Sequence, residues 1–421
     1  MKALVVTNEI PKIVLTRVLA LATPRAYVSR LAPLYLRDLP NPPLRPGWVH
    51  IRTVLCGLCG SDYKQVFLKG AWDNPMTAVI SFPQVLGHEV VGYVEAVGAG
   101  VDRAWLGRRV VLNPWLSCGP RGIEPPCRWC AGGDYAQCLN FARGALPPGI
   151  HHGNCREATG GFAEVVPAHH SQLVPIPDDV PFETAVLADP FSVSLHATLR
   201  HPPPAGGTGL VYGCGTLGLL NIAILRTLFP GVRVFAVARY PHQRELALRF
   251  GADEVIAWRP QSGIVERVAE LTRSELWRPW RGLPMLNGGV DVVYDSVGSP
   301  ESIEVGVRIT RSRGTIVVTG VEMPKRFEWT PLYFKEVQLV GSNAFGVEEW
   351  EGRRQHAMEW YFEIVRRYDL DCTAIITHRF PLAAYPQAFM ACYDQGKHRA
   401  VKVLFTFAKE ADARAQQDRA A

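Results

Sequence analysis

Nowhere in the 421 residues is there a run of the roughly 20 uninterrupted apolar positions that a membrane span needs. The apolar run Ile13–Ala22 is broken by Arg17 and follows Met1–Val6, which reads as a first strand rather than the charged start of a signal peptide. A cytoplasmic protein is therefore expected, with no membrane partner. Lys/Arg clusters are also missing. The formal charge of +6 is spread along the chain, so nucleic acid is not an expected partner, although a phosphate-bearing cofactor fits. There is no internal repeat and no low-complexity tract. A reducing compartment removes the usual role of the ten cysteines as disulfides, and their clustering points to metal instead.

The chain length implies two domains or more, at about 100–200 residues each. A hydrophobic content of 48% is enough to fill their cores. Up to about residue 185 the pattern is short strands with Gly/Pro punctuation: Val49–Cys56, Val90–Val97, Arg109–Leu112 and Ala163–Pro167. Residues 8–35 read as an added excursion, Pro40–Pro46 as a connector and Pro147–Asn154 as a glycine-and-histidine loop. From Pro190 strand and helix patterns alternate: Gly209–Tyr212, Thr216–Leu228, Arg233–Ala238, His242–Arg249, Val290–Ser296, Pro300–Ile309 and Gly314–Val318. Such alternation predicts βαβ units and a doubly wound parallel sheet. Arg273–Asn287, with Trp277 and Trp280, interrupts it as a surface insertion. A helix pattern after Phe345, a strand near Ala374–Phe380, a helix near Tyr385–Gln395 and a strand at Val401–Phe407 close the chain before a polar, frayed tail at 409–421.

Gly213-Cys214-Gly215-Thr216-Leu217-Gly218 follows an apolar strand and opens a helix, the context that gives G-x-G-x-x-G meaning. The glycines permit a tight turn, close approach to a pyrophosphate and close packing of helix on strand, while the helix N-terminus offers N–H groups to the phosphates. The Asp or Glu that would accept from a ribose 2′-hydroxyl is expected about 20 residues on. Ala238 and Arg239 stand there, and a forked cation suits a 2′-phosphate, so NADP(H) is preferred over NAD(H).

Cys118, Cys127, Cys130 and Cys138 fall in one Gly/Pro-rich loop. Four thiolates bind zinc tetrahedrally and leave no open position, so the site is structural. A second set is dispersed: Cys59 in Cys-Gly-Ser-Asp, His88 in Gly-His-Glu, and Asp189, which stands where the β pattern gives way to βα alternation. Three ligands of these types plus a water describe a catalytic zinc. Asp189 is the residue expected to bring that metal against the nucleotide half.

In this order, Cys59–Asp62, Gly87–Glu89, the four-cysteine loop, Gly160–Glu164, Asp189-Pro190, Gly213–Gly218, Asp295–Gly298 and Gly341-Ser342 resemble the zinc-dependent medium-chain alcohol dehydrogenases, in the branch similar to threonine and sorbitol dehydrogenases. The resemblance implies an α/β protein, with a GroES-like β-rich catalytic domain (1–189 and 344–408) around a Rossmann domain (190–343). It implies reversible hydride transfer between an alcohol and NAD(P)⁺, two zinc ions per chain, a small-molecule alcohol or carbonyl substrate, and a homodimer or homotetramer. By resemblance Cys59, His88 and Asp189 hold the catalytic zinc with Glu89 beside it. Ser61 falls on the proton-relay hydroxyl, Asp62 orients the ligand histidine, and Lys402 lies near the cofactor pyrophosphate. Gly213, Gly215, Thr216, Leu217, Gly218, Ala238 and Arg239 are the other cofactor residues.

Four departures stand out. Position 189 is Asp where the branch usually has Glu. Eight residues (119–126) separate Cys118 from Cys127, where two are usual. The Cys59–His88 segment carries extra residues around Phe67–Met76, including Trp72, and Lys64 replaces a frequent relay histidine. The rival readings are a zinc-free quinone or enoyl reductase on the same fold and a non-catalytic zinc-stabilised nucleotide-binding protein.

Overall fold

The computed structural model describes residues 1–70, 74–322 and 327–407. Trp72 and the tail 409–421 lie outside them. The chain forms two compact units, Met1–Asp189 together with the segment from Met358 on, and Pro190–Ala357.

The first unit begins with strand β1 (Lys2–Val6), whose last four residues are buried, paired antiparallel with β2 (Leu34–Asp38). The 8–35 excursion between them is helix α1 (Ile10–Ala20) and a 3₁₀ turn, Pro24–Val28. The long strand β3 (Trp48–Gly57) is buried on both faces. It pairs with β4 (Glu89–Val97) and, through β5 (Arg109–Leu112), leads to the sheet edge, while β6 (Val165–His169) also pairs with β3. Between β3 and β4, the short helix α2 (Gly60–Val66) is opened by Cys59, whose backbone N–H donates to Asp62 Oδ2 at 3.0 Å. That local bond lets the acid stabilise the helix start while its other oxygen remains available for the site.

The second unit is a six-stranded parallel sheet. In chain order its strands are β7 (Thr208–Tyr212), β8 (Arg233–Ala238), β9 (Glu254–Ala257), β10 (Val290–Asp295), β11 (Thr310–Val318) and β12 (Gln338–Gly341), lying side by side as β9-β8-β7-β10-β11-β12. The switch in strand order lies between β7 and β10, where such sheets bind dinucleotides. Leu210, Phe235, Val237, Val293 and Ile316 are almost wholly buried in its core. Each buried side chain of this size contributes about 1.5–3 kcal/mol. Helix α3 (Ala188–Arg200) leads into the unit, and α4 (Thr216–Leu228) follows β7. The 273–287 insertion is a small hairpin, Glu275–Trp277 against Met285–Asn287.

The second unit continues beyond residue 343, where the Rossmann segment was expected to end. A hairpin, Val347–Trp350 against Arg353–His356, still packs in it, and the chain crosses back at Ala357/Met358. The returning segment supplies helix α5 (Ala357–Tyr368), and then strands β13 (Ile376–Pro381) and β14 (Lys402–Thr406). Strand β14 pairs antiparallel with β3, which sets Lys402 beside the turn that carries Cys59.

Candidate active site and metal centres

Among the described residues, two groups of donors come close enough together to hold a metal ion: Cys118, Cys127, Cys130 and Cys138, and Cys59, His88 and Glu89. Within each group the ligand atoms lie within 4.8 Å of one another.

The four-cysteine group includes Cys118 despite its long spacing. Cys118 Sγ and Cys138 Sγ are 3.7 Å apart. Thiolates about 2.3 Å from a tetrahedral zinc would be about 3.8 Å apart, so the donor set fits. The N–H of Cys127 (3.3 Å) and the amide of Asn140 (3.2 Å) both donate to Cys118 Sγ, and the Asn140 N–H donates to Cys138 Sγ at 3.4 Å. Burial raises the Cys127 thiol, but the N–H groups of Leu139 and Cys130 and the adjacent thiols pull it down to about 6. Donors directed at sulfur stabilise thiolates, the form that binds metal.

The second group is built where β3 ends and β4 begins. Cys59 is half-buried, while His88 and Glu89 are buried. Asp62, 3% exposed, accepts the Gly87 N–H at 3.2 Å and lies 4.0 Å from His88 Nδ1. One carboxylate thus ties both chain segments together and faces the histidine, the arrangement that orients a ligand imidazole. Burial works against a charge on His88, yet Cys59, Asp62 and Asp189 hold its pKa well above the usual value. Such an excess of negative donors draws a cation.

Asp189 is not in the tight group. It lies in the first turn of α3 and is 5% exposed, and its Oδ2 has no hydrogen-bond partner among the described residues. Burial, opposed by His88 and reinforced by Glu89, pushes its pKa up to about 7. A buried carboxylate oxygen with no partner is costly unless it meets a proton or a metal. Glu89 pairs with the ammonium of Lys402, which also donates to Leu58 O at 3.4 Å. Lys402 is 2% exposed and therefore stands inside this cluster. Ser61 lies exposed on α2, two residues beyond Cys59.

In the second unit Gly213 has φ +94°, and a Cβ there would strike Val297. One added at Gly218 would come within 1.8 Å of Gly213 O, while Gly215 faces open space at the N-terminus of α4. The turn thus leaves room on the side where a pyrophosphate would approach. Thr216 and Leu217 open the helix, Gly218 is buried in it, and Ala238 ends β8. The Arg239 guanidinium lies 4.6 Å from the Trp258 ring centroid and 5.2 Å from that of Tyr240, and Arg259 covers Trp258 at 4.3 Å. The sequence singled out Arg239. Its partner Trp258, and Arg259 that covers the same ring, were missed, although they directly follow β9, at the same sheet end.

Two further residues at the metal groups were not singled out as site residues. Arg121 is fully buried within the cysteine loop, and the ring of His151 packs on His88 with centroids 4.6 Å apart.

Comparisons with known proteins give the family. Residues 45–178 match the alcohol dehydrogenase GroES-like domain, and 216–360 match the zinc-binding dehydrogenase domain. The sorbitol dehydrogenase of Bacillus subtilis is 28% identical over 68% of this chain and 71% of its own. The (R,R)-butanediol dehydrogenase of Neisseria gonorrhoeae is 28% identical over 74% of this chain and 81% of its own. The crystal structure of galactitol-1-phosphate dehydrogenase from Escherichia coli superposes with a TM-score of 0.70 at 22% identity, covering 97% of this chain and 100% of that one. The chain belongs to the zinc-type medium-chain alcohol dehydrogenases, in the threonine/sorbitol-like branch. It is an oxidoreductase acting on CH–OH groups, with zinc and a nicotinamide dinucleotide as the cofactors of its class.

Proposed function

We propose that this enzyme oxidises a secondary alcohol carrying a neighbouring hydroxyl, a diol or polyol, preferring NADP⁺ and holding two zinc ions per chain. The cluster of Cys59, His88 and Glu89, with the unpartnered Asp189 oxygen beside it, carries the reading. Bound zinc supplies a Lewis acid there and the nicotinamide a hydride acceptor. Cys59, His88 and Asp189 are the proposed metal ligands, with Glu89 held close by Lys402. Asp62 holds the His88 ring in orientation. Ser61 passes the alcohol proton outward from the site. The diol or polyol preference follows relatives named for sorbitol and butanediol. A screen of butane-2,3-diol, sorbitol, butan-2-ol and benzyl alcohol with NAD⁺ and NADP⁺ tests the proposal, and turnover of simple alcohols alone would overturn the substrate class.

Two separate donor sets imply about two zinc ions per chain by counting ligands. Metal analysis of protein purified without chelator should find them, and Cys59→Ser should lower the value to about one. A wild-type value near one, unchanged by Cys59→Ser, removes the catalytic zinc.

The NADP⁺ preference is supported by Ala238 in place of an acid and by Arg239 beside it. Losing an Arg–phosphate contact costs about 1.5–3 kcal/mol. Arg239→Ala is therefore expected to weaken NADP⁺ by roughly 10- to 150-fold and NAD⁺ far less, as read by fluorescence titration. Wild-type protein that favours NAD⁺ would refute this. A cytoplasmic homodimer or homotetramer belongs to the same proposal and is checked by light scattering.

A further inference from the structure

The loop that follows the four cysteines brings an imidazole to the proposed catalytic cluster. His151 forms an isolated bridge with Trp115, and its ring lies edge-on to that indole at 5.8 Å. On another side it packs on His88, tilted by 50°. Its position is held from both directions along the chain. Asn154 Oδ1 accepts the N–H groups of Ile150 (2.8 Å) and His151 (3.1 Å), the Leu116 N–H donates to Ile150 O at 2.9 Å, and the His152 N–H donates to Pro114 O at 2.9 Å. The buried His152 ring is held in turn between Thr159 O (3.1 Å) and Gln172 Oε1 (3.3 Å), while Gln172 donates to the carbonyls of Asn113 and Trp115. The neighbour of His151 is thus anchored to the loops beside the sheet, and His151 itself is left half-buried against His88.

The hydrogen bonding of this ring fixes its chemistry. His151 Nδ1 lies 2.5 Å from His152 O. A carbonyl oxygen can only accept, so Nδ1 carries the proton and Nε2 presents a lone pair. Among the described residues nothing hydrogen-bonds to Nε2. A rigidly held acceptor therefore stands beside a residue assigned to the metal, with no protein donor of its own.

We propose that His151 determines specificity by accepting a hydrogen bond from the second hydroxyl of the substrate, the one on the carbon next to the reacting alcohol. The proposal rests on the reading of Cys59, His88 and Asp189 as the catalytic metal set. An alcohol held at that set has its neighbouring carbon within reach of side chains packed on His88. A hydroxyl there donates to Nε2, whereas a monohydric alcohol leaves Nε2 to water. A site built to pair with a hydroxyl discriminates against the analogue that lacks it more strongly than an apolar wall does.

The test uses the purified holoenzyme, its zinc content checked, with butane-2,3-diol and butan-2-ol as paired substrates. The quantity read is the ratio of their kcat/KM values for wild type, His151→Phe and His151→Gln. One neutral hydrogen bond corresponds to roughly 3- to 10-fold. His151→Phe is expected to lower the diol-to-monoalcohol ratio by about that factor, with the change in KM for the diol rather than in kcat, the mark of lost ground-state binding. His151→Gln keeps an acceptor oxygen and should recover part of the ratio. An unchanged ratio in His151→Phe, whether or not both substrates slow together, overturns the proposal and leaves the dehydrogenase reading intact. Zinc-loaded wild type that turns over neither alcohol overturns both.

Discussion

Ser61→Ala should keep its zinc and lose turnover, while Asp189→Ala should lose both. Ser61 is exposed on α2, two residues beyond Cys59, and is not among the proposed metal ligands. Its loss leaves the metal ligands in place and removes only a step on the proton's path. Lost acid–base assistance lowers kcat by roughly 10²–10⁴. Asp189 differs in its surroundings, because a buried carboxylate oxygen with no hydrogen-bond partner among the described residues stands among His88, Glu89 and Lys402. If that oxygen meets the metal, Asp189→Ala takes away a ligand, and zinc content falls together with activity. If Asp189 serves only the first turn of α3, the substitution costs about 1 kcal/mol of stability and leaves metal and turnover nearly unchanged. Zinc stoichiometry and alcohol oxidation measured on both variants decide between these. A fully metallated, active Asp189→Ala enzyme refutes the metal role of Asp189.

The features legible in the sequence were those in which local pattern and tertiary role coincide. Helix Thr216–Leu228 and strand Arg233–Ala238 lie where their apolar runs put them, because both are buried against the same sheet. Strand β11 begins at Thr310, ahead of the expected Gly314. Its first residues, Thr310-Arg311-Ser312-Arg313, are mostly polar and exposed, and they join β10 only across an irregularity between Val290 and Val292. Polar alternation of that kind carries no strand signal of its own. Strand β12 and the 347–356 hairpin were not singled out for a related reason: they are short, and exposed or half-buried residues predominate in them. At the site, the residue types of both donor sets could be read along the chain. The contacts of His151 with His88 and of Arg239 with Trp258 depend on loops meeting in space, and no spacing rule reports them. The His151-His152 pair was visible in its loop, but nothing local says which face of the fold it meets.

Arg121→Met is expected to release the structural zinc and lower the thermal midpoint by several degrees. Arg121 sits in the eight residues that separate Cys118 from Cys127 and is 0% exposed. Its Nε donates to Leu116 O (2.8 Å), Nη1 to Arg143 O (2.7 Å) and Leu146 O (2.9 Å), and Nη2 to Pro147 O (3.1 Å) and Gly149 O (2.7 Å). All five donors of the guanidinium are used, each on a main-chain carbonyl of the loop that carries the cysteines or of the one that follows it. No carboxylate balances the charge in these bonds. Burial lowers the Arg121 pKa, and the thiols of Cys155, Cys138 and Cys118 oppose that shift. The cation therefore serves both as the peg on which an over-long loop folds and as countercharge to its thiolates. A methionine of similar length fills the space and leaves four of the carbonyls without the donor they have here, while Pro147 O keeps the Cys155 thiol at 3.5 Å. Each buried acceptor without a partner costs about 1–3 kcal/mol where water cannot reach it, so even partial rehydration leaves a loss of about 3–5 kcal/mol, the range for breaking a buried charge network. Arg121→Lys retains the charge with three donors in place of five and should fall between. Zinc release to a chromogenic chelator and the calorimetric midpoint separate the two contributions. If charge matters most, Lys restores zinc retention. If the forked geometry matters most, Lys behaves like Met. An Arg121→Met protein that keeps two zinc ions and melts within about a degree of wild type shows that the metal and the surrounding packing hold the loop without the arginine.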